Sequence, residues 1–168
     1  MLLETLKARG WKVKLRIGAV ELLPPSVAAR YPAVPHDLVE FLSSFELCEN
    51  VAQRAWFFTA EDYWQEAGPI CRWNECETIA LQSCTEEDER TEVTAFWDAH
   101  LPFMIALHSD FDYLAVAVSG ENKGKIVHGF APFWEEPTVI AASFAEFLAN
   151  FCAAATAEEP PWPESLFL

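Results

Sequence analysis

Between Pro102 and Phe151 the spacing of apolar side chains changes twice, and each change calls for a different element. Phe103-Met104-Ile105-Ala106-Leu107 is a short unbroken apolar run that follows Pro102. It suits a strand buried on both faces, although a run this short does not exclude helix. Tyr113 to Val118 then alternates, with small residues at 115 and 117 and larger ones at 114, 116 and 118. That pattern fits a strand with one crowded face. Ser119 to Gly124 supplies a turn, because its two glycines and Asn122 tolerate positive φ. Lys125 to Phe130 returns as the next strand of an antiparallel hairpin. A short loop then leads to a helix. Ser143 and Glu146 have capping-box spacing. Phe144, Phe147, Leu148 and Phe151 recur at intervals of three and four, giving one apolar face expected to pack on the sheet.

The N-terminal part reads less regularly. Leu2 to Arg9 is expected to be a short helix ended by Gly10. Trp11, Val13, Leu15 and Ile17 alternate with Lys12, Lys14 and Arg16, which predicts a strand with a cationic outer face. Such a face either meets an acidic partner, faces solvent, or blunts an exposed sheet edge. Pro35 precedes a helix with a stripe at Leu38, Phe41, Leu42 and Phe45. Ala55 to Phe58 reads as a strand, followed by a short helix capped by Thr59 with Asp62 in the box position. Of the aromatic residues Trp56, Phe57, Phe58, Tyr63 and Trp64, most are expected in the core and one or two at the surface. Residues 66–84 carry no assignable pattern. Thr85 is then a candidate N-cap, with Asp88 at the reciprocal position and Val93, Phe96 and Trp97 as the buried stripe. The alanine-rich helix end gives way to a Pro-rich tail, and Leu166-Phe167-Leu168 is expected to dock back on the domain.

Charge narrows the partners. The chain of 168 residues carries a formal net charge of −15, unevenly spread. Residues 1–30 hold six basic side chains against two acidic ones, and residues 31–168 hold five against twenty-four. An acidic surface repels nucleic acid and anionic membrane and steers in a basic partner, although solubility alone is an equal explanation. No apolar run approaches the length of a membrane span, and the start lacks the features of a signal peptide, so a cytoplasmic protein is expected. A chain this long fits one domain. We divide it into a basic extension at 1–30, a core at 31–151 and a helix end with tail at 152–168.

Catalytic signals are sparse. The five cysteines, Cys48, Cys71, Cys76, Cys84 and Cys152, match no zinc spacing and read as free thiols. The histidines, His36, His100, His108 and His128, form no metal-binding pattern. Asp110 and Asp112 sit two apart at the start of a strand, where they share a face and could hold a cation. The same position is one where Asp commonly stabilises a turn. No phosphate-binding or nucleophile motif is present, so no enzyme activity and no cofactor are expected.

One set of residues resembles a family. Acidic residues ahead of Tyr113-Leu114-Ala115, the Gly-Lys-Ile-Val return strand, and Ile140-Ala141-Ala142-Ser143-Phe144-Ala145-Glu146-Phe147-Leu148 are together similar to the C-terminal half of the SUKH superfamily, the Smi/Knr-like domains. Tyr31-Pro32, Val34-Pro35, Leu38, Phe41 and Leu42 resemble its opening helix. Members often carry Asn-Gly after that helix, where this chain has Glu49-Asn50. The resemblance spans residues 31–151. It implies an α+β fold, an antiparallel sheet flanked by helices. It also implies an immunity protein that binds and blocks a co-encoded toxin, often a nuclease. The expected contacts are Glu86, Glu87, Asp88 and Glu89, the acids Asp110 and Asp112, and an exposed Trp56 or Trp64. Two alternatives stand beside it: a regulatory interaction module of the fungal cell-wall or signalling type, and an enzyme of unknown chemistry.

Overall fold

A computed structural model describes residues 2–50, 54–65, 71–107 and 111–168. These residues form α1 (Leu2–Ala8), β1 (Lys12–Leu15), α2 (Pro25–Arg30), α3 (His36–Ser43), β2 (Phe45–Glu49), β3 (Ala55–Phe57) and α4 (Ala60–Trp64). They continue as α5 (Glu75–Ser83), α6 (Glu87–Asp98), β4 (His100–Leu107), β5 (Phe111–Ala117), β6 (Ile126–Phe130), β7 (Phe133–Ala141) and α7 (Phe144–Thr156). The fold is α+β. Its strands form a single antiparallel sheet in sequence order, β1 to β7, so β1 and β7 are the two edges.

Strand alternation separates the two faces. Phe57 stands opposite Met104, and Met104 opposite Leu114, so these share a face. That face receives α7: Phe103, the extra residue at the register shift between Pro102 and Met104, meets the rings of Phe144 and Phe147 at 5.6 and 5.5 Å, and Phe57 meets Phe151 at 5.8 Å. Tyr113 is one residue along and points the other way. It meets Trp97 of α6 at 5.0 Å, and its hydroxyl donates to the Trp134 carbonyl at 2.5 Å. Tyr113 is seated over Gly129, its cross-strand partner. A methyl group at Gly129 would come within 2.4 Å of that ring, so only glycine leaves room for it. Pro102 sits at a register shift in β4, where a missing N–H is tolerated, and its carbonyl accepts from the Tyr63 hydroxyl at 2.7 Å.

Several expected elements are present. α1 ends ahead of Gly10 at φ 84°. Thr59 and Asp62 form their capping box. Ser143 Oγ accepts from the Glu146 N–H, while the Glu146 carboxylate reaches one residue further back, to Ala142. Phe57, Phe58 and Tyr63 are buried, Trp64 is exposed, and Phe167 docks back with 1% exposure.

Other expectations need correction. Phe45 does not extend the α3 stripe, because α3 stops at Ser43 and Phe45 opens β2. The alternation of β1 breaks at a register shift between Lys14 and Leu15. Beyond it Leu15 and Ile17 face outward, at 50% and 97% exposure, while Arg16 is drawn in. Part of the unassigned 66–84 stretch is α5, which buries Cys76, Glu77 and Ala80. The loop before α7 is mostly β7, a nine-residue strand. The cap of α6 lies one residue later than expected: Glu86 is the N-cap and Glu89 the reciprocal partner.

Candidate functional site

The acidic segment Glu86 to Glu89 opens α6, and the backbone explains its place there. The first N–H groups of a helix have no intrahelical acceptor. The Glu89 carboxylate takes the donor of the N-cap, Glu86, at 3.2 Å, and that of Thr85, one residue ahead of it, at 2.9 Å. Those bonds hold its carboxyl below the usual range. Glu87 and Asp88 complement the positive end of the helix dipole. All four acids are exposed. The cation that follows them, Arg90, is turned toward α5 and donates to the Leu81 carbonyl at 2.8 Å.

One turn on, α6 forms a groove with α5 and the start of β7. The groove encloses about 400 Å³. Ala80, Val93 and Trp134 give it apolar lining, and Glu89, Glu92 and Glu135 give it acidic lining. Oε1 of Glu135 is buried without a hydrogen-bond partner among the described residues. Burial raises the pKa of Glu135; its own backbone N–H opposes this, and Glu136 adds to it. The Trp97 indole N–H lies near enough to favour the anion but closes no hydrogen bond with it. An apolar floor beside the carboxylates of Glu92 and Glu135, with Glu89 engaged in the helix cap, suits the stem and head of a lysine or arginine.

Trp56 and Trp64 lie elsewhere. Half-buried Trp56 lines a second groove of about 300 Å³ with Glu46, Leu47, Glu49 and Glu61. Each of these three acids is already held by a cation of the N-terminal segment. Lys12 meets Glu49 at 3.3 Å, Lys14 meets Glu46, and Arg16 meets Glu61 at 2.5 Å. The cationic strand face is therefore matched within the chain, and Lys12, Lys14 and Arg16 are not left for an acidic partner. Asp62 also lines this groove but accepts from the Thr59 N–H at 2.7 Å, and burial raises its pKa. Trp64 is 48% exposed, with its indole N–H donating to the Glu21 carbonyl at 2.9 Å.

Asp112 is not a surface contact. It is 6% exposed and lies 2.8 Å from Nε2 of His128, itself 2% exposed. The imidazole is walled by the rings of Phe130, Trp162 and Phe167. Burial removes a carboxylate from water at a cost that a bonded histidine offsets, which is a structural reason for the pair. Asp110 and His108 lie outside the described residues.

The structure keeps Glu86 to Glu89 together at the start of α6 and sets one of them, Glu89, in a groove with Glu92 and Glu135, which sequence reasoning missed. Glu92 stands three residues after Glu89, a spacing that could have revealed it. Glu135 gave no signal, since its strand went unrecognised. Phe130 and Phe133, 40% and 54% exposed and 5.9 Å apart, flank Pro132 of the same groove. Trp56 and Trp64 do not line this groove.

The cysteines are free, and burial pushes the Cys48 and Cys71 thiols up to about 12. No group of three potential metal ligands occurs among the described residues, and no helix among them is long and apolar enough to cross a membrane. No family model, curated protein or solved structure matches this chain.

Proposed function

We propose that the protein is an immunity-type binding protein that neutralises a basic toxin domain by docking it on the acidic end formed by α6 and β7. The observation that carries this reading is electrostatic. The acids beside Trp56 are paired within the chain, whereas Glu89, Glu92 and Glu135 line a groove with no cation among its described lining residues, and Glu86, Glu87 and Asp88 stand exposed at the same end of α6. A toxin that grips nucleic acid must be basic, and an acidic inhibitor is steered to its binding surface. Phe130 and Phe133 supply apolar contact beside the charge, as interface anchors do. The similarity to SUKH immunity proteins supplies the biological role, and the buried Asp112–His128 pair is assigned no part in it.

The test is capture of the partner from the native host, followed by stopped-flow association with the parent and with Glu89→Lys/Glu92→Lys. A steered complex loses roughly 10- to 1,000-fold in association rate as salt is raised. The double variant should weaken binding and flatten that salt dependence. Equal affinity of parent and variant, or binding indifferent to salt, overturns the reading.

A further inference from the structure

Glu92 of α6 and Glu135 of β7 line the same groove from different elements, and no lysine, arginine or histidine is among its described lining residues. The neighbouring Arg90 lines a separate groove, with Leu81 and Asp98. Two polar atoms at this site have no hydrogen-bond partner among the described residues, Oε1 of Glu135 and Nε1 of Trp97. Trp97 is 1% exposed, so its N–H is shut off from solvent, and it lies close to the Glu135 carboxylate without closing a bond. Folded proteins seldom leave a buried acceptor and a buried donor both unanswered. Beside the acids the lining is apolar, from Ala80, Val93 and Trp134.

We propose that this groove takes a single arginine side chain of the partner, its stem on Ala80, Val93 and Trp134 and its guanidinium between Glu92 and Glu135. The inference rests on the docking reading above for the partner being a protein. The net charge of −15 favours any cation, and the groove makes the choice among cations. A guanidinium presents five donors on a flat fork and can answer two carboxylates at once, whereas an ammonium is a compact point charge that holds its water more strongly. An acceptor already out of water, Oε1 of Glu135, favours the cation that is cheaper to desolvate. The chain uses the same device within its own helices, where Arg30 bonds both Glu77 of α5 and Asp98 of α6. With a guanidinium in place, the Glu135 carboxylate is held beside the Trp97 N–H, and both unanswered atoms gain a partner.

The probe is Nα-acetyl-arginine amide, titrated into the full chain with no partner present and followed by the indole N–H resonances of Trp97 and Trp134. Saturable shifts are expected, with a dissociation constant of roughly millimolar order for a ligand this small. Nα-acetyl-lysine amide should bind more weakly. Nα-acetyl-citrulline amide, which keeps the shape and lacks the charge, should not bind. Glu135→Gln should weaken arginine binding by at least about tenfold, and Glu92→Gln should weaken it too. Glu135→Gln removes a charge that has no counter-ion within the chain, so its thermal melt should equal or exceed the parent's. No saturable shift with the arginine probe overturns the proposal. So does equal binding of the lysine probe, or binding that Glu135→Gln leaves unchanged. The two readings fail separately. A groove blind to arginine, on a chain that still captures a basic partner in a salt-sensitive way, removes this proposal and leaves the docking reading. Arginine binding on a chain that captures no toxin keeps the groove and removes that reading.

Discussion

Replacing Arg30 by methionine removes the guanidinium that joins three helices. Arg30 donates two bonds to Glu77 of α5, at 2.7 and 2.8 Å, and one to Asp98 of α6 at 2.6 Å. Its guanidinium also lies 5.2 Å from the Tyr31 ring centre, and the Tyr31 hydroxyl donates to the Trp97 carbonyl at 3.0 Å. The two acids are not equivalent. The Asp98 side chain is 54% exposed, so its share of the pairing is under about 1 kcal/mol. The Glu77 side chain is 11% exposed, and methionine would leave its carboxylate buried without a counter-charge. Breaking a buried pair from one side costs about 3–5 kcal/mol. Arg30 keeps 26% of its side chain in water, which puts the expected loss at the low end, about 3 kcal/mol. For a chain of this size that is a fall in Tm of roughly 6–12 °C. Urea unfolding of Arg30→Met, Asp98→Ala and Arg30→Met/Glu77→Leu would resolve the parts. Asp98→Ala should cost little. The double variant should regain most of the loss, because it buries no unpaired charge. A single variant within about 1 kcal/mol of the parent, or a double variant worse than the single, would refute the reasoning.

Three further outcomes are expected. Gly129→Ala should destabilise by about 1–3 kcal/mol, because the new methyl meets the Tyr113 ring and overpacks the site; a thermal melt equal to the parent would contradict the packing. Asp112→Ala should cost about 1–3 kcal/mol by leaving buried His128 unpaired, while Asp112→Asn, which keeps an acceptor oxygen, should cost less; equal losses in chemical denaturation would remove the hydrogen bond as the cause. Half-buried His100 stacks on the Phe96 ring, and its partial burial lowers its pKa from 6.5 despite its bond to the Phe96 carbonyl. The unfolded chain therefore binds more protons than the folded one below that value, and stability falls as pH drops through 6.5 toward the folded pKa. His100→Phe keeps the stack and removes the titration, so its unfolding free energy should fall less than the parent's between neutral and mildly acidic pH.

The elements legible in the sequence are those whose burial is apolar and periodic. Phe144, Phe147 and Phe151 announce α7, and Tyr113 to Val118 announces β5, because both bury large residues at one period. α5 was hidden because its buried face is Cys76, Glu77 and Ala80, and the burial of Glu77 depends on Arg30, far away in sequence. β7 was hidden by Glu135, Glu136 and Pro137, residues that a central strand disfavours but an edge strand tolerates, and no local pattern says which strand is the edge. The outward turn of Ile17 follows from a register shift that alternation cannot foresee. Of the candidate site, the charge run of α6 was plain. The cancellation of Glu46, Glu49 and Glu61 by the basic N-terminal segment was not, since it requires the pairing of β1 with β2 and the approach of α4. Asp112 looked like a turn acid, and only the pairing of β5 with β6 brings His128 to it.

The sequential strand order bears on how the chain is made. Each strand pairs with the one synthesised just before it, so a sheet of this order can grow as the polypeptide leaves the ribosome, without waiting for distant segments. The N-terminal helix is different. α1 packs on α7, and Arg9 donates to the carbonyls of Ala155 and Ala157 at the far end of that helix, 146 and 148 residues further along. A nascent chain would therefore carry a growing sheet whose helix α1 is still undocked, and α7 would act as a late clasp that fixes this earlier-made helix last.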